Sequence, residues 1–385
     1  QWMRAQKRSV DFMAFTGAKN RLIPQPLGVV GVIVPWNFPI FLTFSPLTSI
    51  FAASNRAMVK MSENSRHLAA LLIEKIPLYF SLEKLRVFDE EGGVGIEFSK
   101  LPFDHLLFTG SSQTGRAVMA AAAHNLCPVT LELGGKSPAL VLDDFPLDKA
   151  AARILYVKLL NAGQICTTVD YAYLPKQKIS EFIGLSKSIV SQRYPSIHSI
   201  DYTSIIDDKS FVRLTQALLD AQSKGATLIQ LIDGEPWNAS TRKIAPHLVL
   251  DAPDECELMQ REIFGPILPI KGFDDLNAVV HAINVRPRPL AFYPFSNDLH
   301  KINGLLTKVM SGGVSVNDGL FHVAQHDLPF GGVGESGIGH YHGYEGFVNF
   351  SKMRPVFYQT GLSSLMFMMP PYGKRFEHIL KFLMR

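Results

Sequence analysis

From Val29 to Leu142, short β-branched runs alternate with stretches of helical period, and few folds accept that alternation. Parallel strands need long crossover connections, so the pattern predicts a doubly wound α/β sheet covered by helices. Strands are expected at Val29 to Val34, Ala57 to Lys60, Arg86 to Phe88, His105 to Phe108 and Val129 to Leu133. Arg66 to Phe80 reads as an intervening helix with Ser65 as its N-cap. After Leu142 the alternation resumes with a helix from Leu147 to Leu160 and strands at Tyr171 to Leu174 and Ala226 to Ile232. Leu268 to Lys271, Leu290 to Pro294 and Gly313 to Val316 carry the same signature, which predicts a second α/β domain. A chain of 385 residues exceeds what one hydrophobic core usually supports, so two domains sharing a cleft are expected.

Composition matters chiefly for what it excludes. With 47% hydrophobic and 19% charged residues the chain folds rather than remaining disordered. The formal net charge is only +4, and no basic run is interleaved with aromatics, so nucleic acid is not an expected partner. Cys127, Cys166 and Cys256 lie far apart without CxxC spacing, which predicts neither disulfides nor zinc and suggests a reducing, cytoplasmic compartment. No signal peptide precedes the first strands, and Gly361 to Met369 is too short to span a bilayer, so no transmembrane segment is expected. From Gly373 onward Phe376, Ile379, Leu380 and Leu383 share a helical face near Lys374, Arg375, Lys381 and Arg385. A packed terminal helix is the plain reading, and peripheral membrane contact is the alternative.

Several segments could carry chemistry. Gly163 to Thr168 (GQICTT) follows a predicted helix and sets the Cys166 thiol on a turn, although a lone cysteine is more often structural. In Leu131 to Lys136 (LELGGK), Glu132 ends a strand ahead of Gly134 and Gly135, where backbone can approach a ligand and the carboxylate can draw a proton from water. Pro35, Trp36, Asn37, Phe38 and Pro39 form a proline-bounded loop presenting the Asn37 amide, an oxyanion donor or a routine turn residue. Phe108 to Gly115 passes from a strand through Gly110 and Ser111 into a helix, a setting that attracts phosphate. Its GxxxxG spacing matches neither the dinucleotide fingerprint nor a P-loop. Lys60 and Glu63 follow another strand where a ribose could lie, and Glu262 with Phe264 places a carboxylate beside an aromatic. His340 and His342 invite a metal, but a third ligand is missing nearby, so none is expected.

Together PWNFP, KMSE, FTGSSQTG, LELGGK, GQICTT, EIFGP and PFGGVGESG resemble the aldehyde dehydrogenase superfamily, in its order, from Pro26 onward. The longer wording, such as VTLELGGKSPALV and AGQICTTVDYAY, is most similar to its coniferyl aldehyde dehydrogenase subgroup, with fatty aldehyde dehydrogenases next. The resemblance implies Cys166 as nucleophile, Glu132 as general base and Asn37 as oxyanion donor. It also implies a dinucleotide site formed by Pro35, Trp36, Lys60, Glu63, Gly110, Ser111, Gly115, Gly134, Glu262 and Phe264. An NAD-binding domain is expected over 27–134 and a catalytic domain over 135–335. Segments 1–26 and 345–385 are assigned to oligomerisation and the termini.

The implied reaction oxidises an aldehyde to a carboxylic acid through a thioester, with an aromatic substrate such as coniferyl aldehyde. Long-chain aldehydes, a CoA-acylating variant and a silent nucleotide-binding relative are the competing readings. Glu63 would repel a 2′-phosphate, favouring NAD, while Lys60 offsets that repulsion and leaves NADP open. Family members carry a further N-terminal helical segment, of which Gln1 to Arg21 reach only the end. The stretch from Thr16 to Arg21 reads as short for a pairing hairpin. Met353 to Gln359 is expected to supply a strand for a homodimer or tetramer.

Overall fold

Val30, Val32, Val59, Leu106 and Leu107 are all but inaccessible on adjacent short strands, as expected where helices cover both faces of a parallel sheet. A computed structural model describes residues 1–11, 15, 17–90, 94–361 and 369–384. Its first sheet runs Gly337–Ile338, Val129–Leu133, His105–Gly110, Val29–Ile33, Arg56–Lys60, Leu85–Phe88. All neighbours are parallel except Gly337–Ile338, which returns from far along the chain and lies antiparallel to Val129–Leu133. Strand order reverses between Val29–Ile33 and His105–Gly110, and the crevice beyond the carboxyl ends of such a pair is where α/β sheets bind ligands.

The second sheet runs Thr227–Gln230, His247–Leu250, Ile267–Phe273, Tyr171–Pro175, Pro138–Val141, Ala291–Phe295, Gly313–Val314. Its interior strands are covered by helices, among them Leu147–Leu159, Ile179–Arg193 and Asp208–Ser223. Lys19–Pro26 pairs residue for residue with Ser351–Tyr358, joining the two ends of the described chain in a third, antiparallel sheet with Gln6–Arg8.

Some expectations need correction. Lys19 to Arg21, in the stretch read as short for a pairing hairpin, belong to a strand of eight residues, and Thr16 lies outside the described residues. The helix expected to reach Phe80 stops at Lys75, and Ile76–Leu78 tightens into a 3₁₀ turn because Pro77 cannot continue the hydrogen-bond ladder. Ser65 makes no side-chain cap; Ser62 does instead, accepting from the Asn64 N–H, because a short 3₁₀ turn at Glu63–Ser65 starts the helical path earlier. No described helix is long and apolar enough to cross a membrane. Most of Gly361 to Met369 lies outside the described residues, as do the Leu383 side chain and Arg385. The helix Lys374–Leu383 exposes most of its described surface, with Phe376 and Ile379 half-buried and Leu380 exposed.

Candidate active site

The helix Leu147–Leu159 buries Ile154, Leu155 and Val157 and then breaks, because Asn161 and Ala162 take left-handed backbone angles (φ 53° and 51°). Gly163 follows with φ 75°, and a Cβ there would lie 2.3 Å from the Gly265 carbonyl, so only glycine fits. This turn sets Cys166 half-buried against the cluster that contains Phe330 and Tyr341. The Asn37 loop docks on the same turn: the Asn37 amide donates to the Gln164 carbonyl (3.2 Å), and the Asn161 amide donates to the Asn37 carbonyl (3.4 Å). One Asn37 N–H is thereby used, and the second remains for another acceptor.

Glu132 sits on the strand Val129–Leu133 in register with Thr109 and Gly337. It is 3% exposed, and neither carboxyl oxygen has a hydrogen-bond partner among the described residues. Burial holds its pKa well above the ordinary carboxylate range. Burial also pushes the Cys166 thiol up to about 12, with the charges of Glu262 and Glu132 adding to it. Tyr341 is raised by burial and then by Glu132 and Cys166, which places all three in one neighbourhood.

The remaining predicted groups cluster at the carboxyl ends of the first sheet or face them. Ser111 caps the helix Ser112–Ala123, accepting from the Thr114 N–H (3.2 Å), while the Ser112 hydroxyl donates to the Glu335 carbonyl (3.2 Å) and Arg116 pairs with the Glu335 carboxylate (3.0 Å). Gly110 and Gly115 serve packing: a Cβ would meet Phe108 at 2.6 Å or Leu133 at 2.7 Å, respectively. Gly134 lets the Glu262 carboxylate lie over the loop, since a Cβ there would meet it at 2.0 Å. Burial, then Asp170, pushes Glu262 up to about 8, and its Oε1 is buried without a described partner. The Trp36 and Phe264 rings meet edge-on at 5.6 Å, following the Pro35 bend. Lys60 is buried in an ion pair with Glu90 rather than free, and Glu63 accepts from the Ser62 hydroxyl (3.2 Å).

Sequence reasoning missed the groups that brace Glu262 and Phe264. The Ile263 N–H between them donates to Asp170 (2.8 Å), and the Ile263 carbonyl accepts from Arg213 (2.7 Å). Lys136 pairs with Asp170 and also donates to the Leu258 carbonyl (2.6 Å). Lys158, 1% exposed, carries an ammonium with no described hydrogen-bond partner. Burial depresses Lys158 to about 8 against the pull of Asp170 and Glu262. The only signal for it was a lysine inside the apolar run Ile154 to Leu160. Among the described residues no group of three or more His, Cys, Asp or Glu could hold a metal, and all three cysteines are free.

Comparison with known proteins agrees with this geometry. The family model described as "Aldehyde dehydrogenase family" matches residues 1–356. The chain is 45% identical to "Coniferyl aldehyde dehydrogenase" of Pseudomonas sp. (strain HR199), over 100% of this chain and 80% of that protein. Among solved structures it resembles a substrate-bound Staphylococcus aureus AldH, with TM-score 0.92 and 34% identity, covering 99% of this chain and 82% of the other. It also resembles a Mycobacterium tuberculosis aldehyde dehydrogenase complexed with NAD+, with TM-score 0.82 and 26% identity, covering 94% and 73%. A doubly wound sheet, a cysteine turn beside a buried glutamate and a family match spanning most of the chain lead to one assignment: this chain belongs to the aldehyde dehydrogenase family, oxidoreductases acting on the aldehyde group.

Proposed function

We propose that this chain oxidises an aromatic aldehyde of the hydroxycinnamaldehyde type, such as coniferyl aldehyde, to its carboxylic acid through a thioester on Cys166, with NAD as oxidant. The observation that carries the chemistry is the half-buried Cys166 thiol lying within electrostatic reach of Glu132. The relative named for coniferyl aldehyde carries the substrate.

The residues suit a dinucleotide. The N-terminal turn of Ser112–Ala123, with Ser111, would take its phosphates, Glu63 and Lys60 a ribose, and Glu262, with a buried oxygen to spare, the nicotinamide ribose. Gly134 leaves the space that Glu262 needs, and Trp36 and Phe264 offer apolar ring edges. NAD, when bound, supplies the hydride acceptor. NADP is the alternative, since Lys60 could offset the repulsion that Glu63 sets against a 2′-phosphate.

Cys166 attacks as thiolate after losing its proton to solvent, and Glu132 is kept for the water of the second step. The same burial that weakens the thiol as an acid strengthens Glu132 as a base. Sulfur adds to the carbonyl carbon, and the free Asn37 N–H with the Cys166 backbone N–H holds the resulting oxyanion. After oxidation the acyl group stays on sulfur, and Glu132 deprotonates the water that cleaves it, releasing the acid and regenerating Cys166.

Ranking aromatic against long-chain aldehydes by kcat/KM with NAD, in buffer free of CoA and phosphate, tests this reading. Acid formation with aromatic aldehydes preferred is expected. Long-chain preference would favour a fatty aldehyde dehydrogenase, a requirement for CoA an acylating enzyme, and no NADH with any aldehyde a silent relative.

The compartment is proposed to be the cytoplasm, consistent with three free cysteines. The exposed Ser351–Tyr358 edge is proposed to pair subunits into a homodimer or tetramer, and a monomer by light scattering would contradict that. The exposed Lys374–Leu383 helix leaves peripheral contact with anionic lipid as a second role, which absence of vesicle co-sedimentation would remove.

A further inference from the structure

Two histidines flank Phe330 in the aromatic wall beside the thiol, His322 and His342, and the Nε2 of each is buried without a described partner; His342 is the one that also meets Phe41 beside the oxyanion loop. His342 is 7% exposed, and its Nε2 is buried without a hydrogen-bond partner among the described residues. A buried acceptor or donor left open costs about 1–3 kcal/mol, so such an atom calls for a partner. The ring stacks on Phe330 (5.7 Å between centroids, 25°), meets Phe41 edge-on (5.9 Å, 84°) and abuts Tyr341 (4.5 Å).

These neighbours connect His342 to the reaction centre. Phe41 lies one turn beyond the Asn37 loop on the helix Pro39–Ala52, and Phe330 and Tyr341 belong to the cluster in which Cys166 packs. Phe41 and Phe44 are 42% and 41% exposed, so the wall opens to solvent on the side of the oxyanion loop. The His342 backbone is also strained, with φ 84° and ψ 153°, a region occupied almost only by glycine. Strain of that kind persists where surrounding structure enforces it.

Burial, then the charge of His326, pushes the imidazole down to about 4, so it is neutral at neutral pH and offers one N–H and one lone pair. A neutral ring in an apolar wall suits a neutral hydroxyl. It does not suit a carboxylate or an ammonium, which would be desolvated without a counter-charge.

We propose that His342 is the specificity-determining residue for ring-hydroxylated aromatic aldehydes, with its Nε2 as the hydrogen-bond partner of the phenolic hydroxyl. The assignment rests on the aromatic-aldehyde reading above and adds the group that distinguishes one aromatic aldehyde from another. Phe41 and Phe330 supply flat apolar contact to the substrate ring, and His342 supplies the single directional contact. A site built to bond a hydroxyl discriminates strongly against analogues without one, because its own polar atom is then stranded.

The test compares kcat/KM for 4-hydroxy-3-methoxycinnamaldehyde, 3,4-dimethoxycinnamaldehyde and cinnamaldehyde in the wild type, His342→Phe and His342→Asn. The wild type is expected to prefer the hydroxylated member by about 10–100-fold, below the full range for a closed hydroxyl site because this wall is open to solvent. In His342→Phe that ratio is expected to fall towards one, and His342→Asn, which keeps a polar head, is expected to restore part of it. An unchanged ratio in His342→Phe, or no preference in the wild type, overturns the assignment. Should the phenylalanine variant not fold by circular dichroism, the wild-type ratio and the asparagine variant decide. A wild type that oxidises aliphatic but no aromatic aldehydes overturns the substrate reading itself; aromatic oxidation with a ratio indifferent to residue 342 overturns this assignment alone.

Discussion

The two halves of the site reach one thiol by opposite means. On the first sheet, Asn37, Lys60, Ser111 and Glu132 all stand at or just past a strand's carboxyl end, so a run of neighbouring residues fixes each one. On the second, Glu262 and Phe264 are held by Asp170, Arg213 and Lys136, which come from separate stretches of chain. Groups at strand ends are positioned by local backbone, whereas the brace behind Glu262 exists only once the second domain has folded. Loss of a strand-end group should therefore damage chemistry directly, and loss of a bracing group should act through ionisation and stability.

The sharpest break in that comparison is Asn37→Ala. Removing one oxyanion donor typically costs about 10²–10³ in turnover, and a loss of that order in kcat with native thermal stability is expected. Near-normal kcat would show that the Asn37 loop serves only to dock on Gln164.

A smaller effect sharpens the other half. Burial depresses Lys158 to about 8, below its ordinary 10.5, so between those pH values the unfolded chain binds a proton that the folded chain does not. Wild-type stability should rise with pH across that window, by at most roughly 3 kcal/mol. Below pH 8 the buried ammonium opposes folding by a constant amount. Lys158→Met should lack the Lys158 part of this rise and be more stable than the wild type near neutral pH. Parallel stability profiles for the two proteins, from urea unfolding between pH 7 and 10.5, would contradict the depressed lysine.

The same contrast explains what the sequence revealed. The five parallel strands were legible because each is a short apolar run, and Val129–Leu133 was read with its observed bounds. Gly337–Ile338 was not, because two residues carry no period and their place is set by pairing with Glu132 and Leu131 from far upstream. Likewise Cys166 announced itself through its flanking turn, while Asp170 four residues on looked like any loop carboxylate until Ile263 and Lys136 closed on it. His342 was weighed only as a metal ligand, since its aromatic neighbours Phe41 and Phe330 lie elsewhere in the chain. Gly110 and Gly115, read as phosphate-loop residues, admit Phe108 and Leu133 at distances a side chain would forbid.

The central claim is a covalent acyl bond to one sulfur, and intact-protein mass spectrometry with peptide mapping tests it most directly. Glu132→Gln, mixed with NAD and an aromatic aldehyde, should accumulate one acyl group on the peptide carrying Cys166, releasing acid far more slowly than the wild type. An acyl group on Cys127 or Cys256, or full acid release with Cys166 unmodified, would contradict it.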